Sequence, residues 1–262
     1  ERALAAAGVA PEELDIIILG TSSPDRNYPS DACSVQAAIG AVNAVAFDIS
    51  AACAGFIFAM NIVEGFFKAG IYKTALIIGA ETLSKVTDWN DRGTCVLFGD
   101  GAGAAVLKAE ETGIIDMMMG ADGTKGDVLA CTSRTVGNFL TGTKPELGFM
   151  TMDGQEVFKF AVRKVPESVM ELLQRTGTKK EDIKYYVLHQ ANERIIEAAA
   201  RRLKEPMEKF PMTIGQFGNT STASIPLLLD DMIQKDMLKR GDKIIMSGFG
   251  AGMTWGAVLM EW

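Results

Sequence analysis

The sequence predicts an α/β fold made of two duplicated halves, an expectation carried by three observations. Short β-rich apolar runs alternate with helical patterns along the 262 residues. The pattern then starts again: PEELDIIILG (Pro11–Gly20) returns as KKEDIKYYVLH (Lys179–His189), each an acidic helix end feeding a buried strand. GDGAGAAVL (Gly99–Leu107) likewise returns as GFGAGMTWGAVL (Gly248–Leu259). Gly20 and His189 lie 169 positions apart, and the strand-to-helix elbows at Cys53 and Asn219 lie 166 apart. A period this long belongs to a domain duplication rather than a solenoid. The halves are expected at residues 1–116 and 117–262.

Each element has a local reason. ERALAAAGV ends a short helix at Gly8, since glycine closes helices in the left-handed region. Asp15–Gly20 is a near-continuous apolar run and reads as a buried strand. Ser30–Ile39 opens on a serine N-cap and reads as a helix, Val45–Ile49 as a strand. Ala54–Ala69 is a long apolar helix closed by Gly70, and Lys73–Gly79 a third strand. Thr94–Phe98 and Ala104–Leu107 read as two strands joined by a turn over Gly99–Gly103. In the second half, Lys180–Leu188 leads into a helix over Asn192–Leu203. Gln216–Ser224 is a turn entering a helix that runs through Met232. Lys243–Ser247 and Met253–Glu261 are strands about Gly248–Gly252.

Composition removes several classes of function. Hydrophobic residues make up 48% of the chain and charged residues 23%, which fills a large core and excludes disorder. The net charge of −7 argues against a broad nucleic-acid footprint. No apolar run reaches the roughly 18 residues of a membrane span, so neither nucleic acid nor membrane is an expected partner. Cys33, Cys53, Cys95 and Cys131 are widely spaced without a CxxC pair. No metal site and no disulfide framework is expected, and a reducing cytoplasmic compartment is the default. The glycine run at Gly99–Gly103 precedes a strand rather than a helix, so it fails the dinucleotide test.

Three residues are candidates for chemistry. Cys53, in FDISAACAGFIF, stands where a strand becomes a helix, an elbow that exposes a side chain at the carboxyl end of a sheet. A helix N-terminus there is expected to lower the thiol pKa, so that Cys53 alkylates at lower pH than the other cysteines. His189 is the one histidine of the chain and ends a buried strand. Asn219, in FGNTSTASIP, lies at a turn into a helix. The ordinary alternatives are a packed core cysteine, a satisfied histidine and a helix cap.

Together these motifs resemble the β-ketoacyl-acyl carrier protein synthase III family, the initiating condensing enzymes of type II fatty acid synthesis. The matching stretches are YPSDACSVQAAIGA, DISAACAGF, DWNDRGTCVLFGDGAGAAVL, MDGQEVFKFAV, HQANERII, GNTSTASIPL and FGAGMTWGAVLMEW. The resemblance implies a thiolase-like fold in α-β-α-β-α layers, with Cys53 in the first half and His189 and Asn219 in the second as a catalytic triad. Elongating condensing enzymes use two histidines, and this chain has one.

The resemblance further implies an oxyanion hole of backbone N–H groups at Cys53 and Ala251. It implies substrate and CoA contacts at Arg92, Asn192, Arg194 and Tyr28, with an apolar wall of Leu83, Phe98, Phe158 and Phe249. Arg194, Arg201 and Arg202 make a basic cluster on the helix after His189 and are expected to receive the acidic carrier protein, with Lys159 beside them as the resemblance implies. No cofactor is expected beyond the CoA thioester substrate. The implied partners are an acyl-CoA, malonyl-acyl carrier protein and a second copy of the chain, paired through a strand such as KTALIIG. The family's CoA-adenine contacts lie in a segment upstream of Glu1, so these residues are expected to be part of a longer polypeptide. A related acyltransferase, a polyketide priming enzyme, or an inactive dimerisation module remain the alternatives.

Overall fold

Pro11–Glu13 and Lys180–Asp182 make the same move twice. Each is a single 3-10 turn whose last carboxylate accepts a backbone N–H from the residue before it: Glu13 Oε2 from Ala10 at 2.8 Å, Asp182 Oδ2 from Lys179 at 3.4 Å. Each then delivers the chain into a buried strand, as the repeated sequence predicts.

The computed structural model describes residues 1–146 and 148–262. In chain order the elements are α1 (Arg2–Ala7), β1 (Ile16–Gly20), α2 (Asp31–Ile39), β2 (Val45–Ile49), α3 (Gly55–Lys68), β3 (Thr74–Glu81) and β4 (Gly101–Lys108). β5 (Ile114–Ala121) follows, then a small hairpin of β6 (Leu129–Cys131) and β7 (Met150–Met152) and the long α4 (Gly154–Thr176). The chain ends with β8 (Ile183–Leu188), α5 (Glu193–Leu203), the single turn α6 (Ile214–Phe217), α7 (Ser224–Gln234), β9 (Lys243–Gly250) and β10 (Thr254–Glu261).

Eight of the strands form two sheets, ordered β2-β1-β3-β4 and β5-β10-β9-β8, and β6 pairs only with β7. β1 is parallel to β3 and β3 antiparallel to β4; β8 is parallel to β9 and β9 antiparallel to β10. The three-strand units superimpose in topology, and the fourth strand differs. β5 covers the outer edge of β10, whereas β4 is the last strand of its sheet.

Alternate residues of β1 face opposite layers, and both faces are buried. Ile16 and Ile18 join Ile244, Met246 and Val258 of the other sheet around Phe56, Ile57, Met60 and Val63 of α3 and Leu228 of α7. Ile17 and Leu19 face outward with Ala32 of α2. On the far side Val165 and Leu172 of α4 and Ile196 and Leu203 of α5 pack on Ile245 and Leu259. The result is five layers, α-β-α-β-α, with α3 and α7 in the middle. Each large side chain buried in this way contributes about 1.5–3 kcal/mol.

Four expectations need correction. Thr94–Phe98 is not a strand: Asp91 captures it as turns, accepting from Gly93 N at 2.9 Å and Thr94 Oγ1 at 2.7 Å. Gly101–Gly103 are strand rather than turn, and β4 pairs with β3. Glycine is needed at 99 because a β-carbon there would lie 2.1 Å from Phe217 O. The boundary at 116/117 falls inside β5, which belongs to the second sheet; the sheets divide between Lys108 and Ile114. KTALIIG is no dimerisation edge, because β3 is paired on both sides. The edges of that sheet are β2 and β4. The apolar pattern marks neither β5 nor α4, although α4 is the longest helix among the described residues.

Candidate active site

Cys53 stands between β2 and α3 in a 3-10 turn over Ala52–Ala54 and is 6% exposed. The turn passes through Ala52 at φ 45°, a left-handed conformation that costs a non-glycine residue about 1–2 kcal/mol. Contacts from the second half hold it there. Thr222 Oγ1 donates to Ala52 O at 2.7 Å and Thr254 Oγ1 to Ala51 O at 3.0 Å. Gly250 of β9 forms the floor: a β-carbon there would lie 2.6 Å from Cys53 N.

The second half repeats the elbow. Ser221, at φ 49°, opens a 3-10 turn over Ser221–Ala223 ahead of α7. Ala52 and Ser221 are 169 positions apart, the same offset as Gly20 and His189. The counterpart of Cys53 is therefore Thr222. The expected pairing of Cys53 with Asn219 is off by three, because Asn219 precedes the elbow instead of standing on it.

His189 follows β8 and is 2% exposed. Its N–H donates to Ser247 O of β9 at 2.8 Å, and its ring meets Phe249 edge-on with centroids 5.4 Å apart. Nδ1 lies 2.6 Å from Ser224 Oγ, which also accepts the Gln190 N–H at 3.3 Å. Ser224 Oγ has no other acceptor among the described residues, so its proton goes to Nδ1 and the neutral imidazole is assigned its own proton on Nε2. Burial lowers the His189 pKa to about 3, so the ring stays neutral at physiological pH.

Stability records this burial. Unfolded histidine takes up a proton near pH 6.5 and His189 only near 3, so the unfolded state binds more protons in that window. Stability therefore falls as pH drops from 6.5 toward 3. His189→Gln is expected to flatten this acid limb in urea midpoints measured across the window. A variant with an unchanged limb would assign it to other groups.

Asn219 is 7% exposed and locked by its backbone, its N–H donating to Leu97 O and its carbonyl accepting from Gly99 N, both at 2.9 Å. Its Oδ1 accepts the Ser221 N–H at 2.9 Å. Nδ2 is left without a protein partner among the described residues, as is His189 Nε2. Two unspent neutral donors thus arise. Asn219 stands just ahead of the turn that packs on the Cys53 turn, and His189 is held by Ser224 at the start of α7 and by Phe249, the neighbour of Gly250. Neutral donors of this kind can receive a negative charge that develops during a reaction.

The expected low pKa of Cys53 is corrected. Burial pushes the thiol up to about 12; the Ser221 hydroxyl pulls it back, and the charge of Glu81 raises it again. The turn around Cys53 is 3-10 and α3 begins only at Gly55, so the helix terminus is outweighed by desolvation. Selective alkylation of Cys53 at low pH does not follow.

The remaining expected residues divide. Ala251 follows Gly250 beside the elbow, its carbonyl 3.0 Å from Thr254 Oγ1 and sharing that hydroxyl proton with Ala51 O. Phe249 belongs to the core of the second sheet and Phe98 packs against it; Leu83 is buried after β3. Phe158 is 39% exposed on α4, and Tyr28 is 85% exposed. Arg92 and Arg194 are exposed, while Asn192 caps α5, its Oδ1 accepting from Arg194 N at 2.9 Å. Lys159 pairs with Glu156 at 2.8 Å and Arg201 with Glu197 at 3.5 Å. Arg202 donates to Val162 O at 2.8 Å, tying α5 to α4. The sequence reading passed over Glu81, Thr222 and Ser224. Glu81 carried a signal, being the one charge in the apolar run TALIIGAE.

Among the described residues no three His, Cys, Asp or Glu side chains cluster to hold a metal, and all four cysteines are free thiols. No helix among them is long and apolar enough to cross a membrane.

Five layers with an elbow in each half define the thiolase-like class. Comparison with known proteins narrows it. The family description 3-oxoacyl-(acyl-carrier-protein) synthase III matches residues 47–123, and its C-terminal counterpart matches residues 173–262. A β-ketoacyl-(acyl-carrier-protein) synthase III of Clostridium acetobutylicum is 51% identical over 263 residues, covering 100% of this chain and 81% of its own. The crystal structure of 3-oxoacyl-(acyl-carrier-protein) synthase III from Aquifex aeolicus VF5 matches with TM-score 0.92 and 46% identity, covering 99% of this chain and 81% of that one. A priming β-ketosynthase from a polyketide pathway matches at 0.89 and 34%, covering 99% and 79%. This chain belongs to the 3-oxoacyl-(acyl-carrier-protein) synthase III family.

Proposed function

We propose that this chain starts fatty acid synthesis by a decarboxylating Claisen condensation in which Cys53 carries the acyl group and His189 and Asn219 stabilise the enolate. The observation that supports it most is the pair of unspent neutral donors, His189 Nε2 and Asn219 Nδ2, on segments tied to the two elbows, one of which carries the buried Cys53 thiol. In the first half-reaction Cys53 sulfur attacks the thioester carbon of an acyl-CoA. The bond to the CoA sulfur breaks, and the thiol proton leaves with CoA. Backbone N–H groups of Cys53 and Ala251 receive the transient oxyanion. In the second, malonyl-acyl carrier protein loses CO2 and the electrons of the broken C–C bond become an enolate. Its oxygen meets the two neutral donors while its carbon attacks the acyl-cysteine, giving 3-oxoacyl-acyl carrier protein and releasing Cys53 as a thiolate that takes one proton from solvent. The atoms and electrons balance without a redox or metal cofactor.

The finer assignments follow from the same reading. Each half contributes one elbow, the first supplying the nucleophile and the second the donors' loops. Arg92, Asn192 and Arg194 line the approach of CoA, and Leu83, Phe98, Phe158 and Phe249 exclude water from the acyl-cysteine. The chain works in the cytoplasm as a homodimer in which Tyr28 reaches the partner's acyl pocket. Lys159, Arg194, Arg201 and Arg202 steer the acidic carrier protein.

Purified chain given acetyl-CoA and malonyl-acyl carrier protein should release CO2 and form the 3-oxoacyl product. Absence of product with every short acyl-CoA would reject the reading. In the same assay Arg201→Glu is expected to raise KM for the carrier protein severalfold and weaken its salt dependence, with kcat little changed. An unchanged KM would leave Arg201 as a solvated surface charge.

A further inference from the structure

We propose that Glu81, the last residue of β3, is a positioning residue that sets the Cys53 elbow and the Asn219 loop against each other, an inference that deepens the function proposed above. Glu81 is 4% exposed, and no cation pairs with it among the described residues. A carboxylate is costly to bury unless its oxygens are filled, and here four neutral donors fill them with a fifth hydroxyl close by. Oε2 accepts from Thr21 Oγ1 at 3.3 Å, Ser22 N at 3.0 Å and Ser23 Oγ at 2.6 Å, gathering the loop after β1. Oε1 accepts from Ser221 Oγ at 2.9 Å and lies 3.0 Å from Thr222 Oγ1, gathering the second elbow.

Both members of that second pair lead directly into the site. Ser221 holds its left-handed backbone with its N–H on Asn219 Oδ1, which orients the amide so that Nδ2 is offered. Thr222 is the counterpart of Cys53, and its one hydroxyl proton, shared with Glu81, also reaches Ala52 O at 2.7 Å. A single carboxylate on an internal strand therefore fixes both strained elbows relative to one rigid sheet. Its charge works against the nucleophile, since it raises the thiol pKa. A buried group that opposes thiolate formation and has no counter-ion is accounted for by what its oxygens hold.

Glu81→Gln tests this. The amide keeps the volume and one acceptor but turns the other into a donor, so one of the two loops loses its anchor. The kcat for malonyl decarboxylation is expected to fall on the order of 10²-fold with KM little changed, as misplacement of a catalytic group by about 1 Å costs. Over the same substitution the iodoacetamide titration of Cys53, followed by peptide mass, is expected to move to lower pH because the opposing charge is gone. Glu81→Asp keeps the charge on a shorter arm, so it should restore the thiol titration without restoring decarboxylation. Opposite movement of thiol reactivity and decarboxylation, at an unchanged melting temperature, is the signature of positioning. Wild-type decarboxylation in Glu81→Gln, or full recovery in Glu81→Asp, would overturn the proposal. So would a loss of activity matched by a loss of folded protein. The thiol titration needs no substrate; failure of the wild type to condense would count against the proposed function and leave the titration arm standing.

Discussion

Cys53→Ala is expected to abolish the acyl-enzyme. Intact-mass measurement after incubation with acetyl-CoA should show an acetyl increment on the wild type and none on the variant. The loss should be complete, because no other thiol can substitute. Cys33 and Cys95 are half-buried away from the elbow, and Cys131 is an exposed thiol raised in pKa by its partial burial. An increment that survives in Cys53→Ala would move the nucleophile elsewhere. The magnitude follows from position as much as from chemistry. Gly250 packs so closely on Cys53 that a β-carbon there would lie 2.6 Å from its N and 3.1 Å from its Cβ, which fixes where the side chain leaves the elbow.

The second large effect belongs to the donors. His189→Ala and Asn219→Ala are each expected to slow malonyl decarboxylation by about 10²–10³-fold, the usual loss when one such donor is removed. Acylation of Cys53 should fall much less, because its oxyanion is received by backbone N–H groups. The double variant should lose less than the product of the singles, since both donors serve one oxygen. Equal losses in both half-reactions would make His189 the base that activates the thiol. Its pKa of about 3 argues for the donor role, as so weak a base takes little of a proton from sulfur.

Much of this was legible in the residues, for reasons that differ by element. DIIILG and its partner KYYVL were readable because a strand buried on both faces has to be continuously apolar. Asn192 was readable as the start of a helix, and its capping bond shows why. Thr94–Phe98 misled because CVLF carries strand-like residues, while Asp91 decides the local backbone through hydrogen bonds that no periodicity reports. α4 went unassigned because its polar face dilutes the apolar stripe of Val157, Phe160, Ala161 and Val165. The triad was visible from motif and elbow. The thiol pKa was not, since a helix-terminus argument sees only local backbone, whereas desolvation is set by residues almost 200 positions away.

Those separations say when in its life the molecule acquires a working site. The bonds that shape the elbow link residues 170 and 203 positions apart, and the tie from Glu81 to Ser221 spans 140. Closing a loop of about 170 residues costs roughly 2 kcal/mol more chain entropy than closing one of about 20. Native contacts of this kind come late. During synthesis the first sheet can pair β1, β2 and β3 while Cys53 still lacks Thr222 and the floor at Gly250. The nucleophile is thus among the first functional residues to leave the ribosome, yet it stays without its floor until β9 has emerged. Assembly order itself keeps the thiol from working as part of a half-built enzyme, and a fragment ending before Lys243 carries the cysteine without the strand that shapes it.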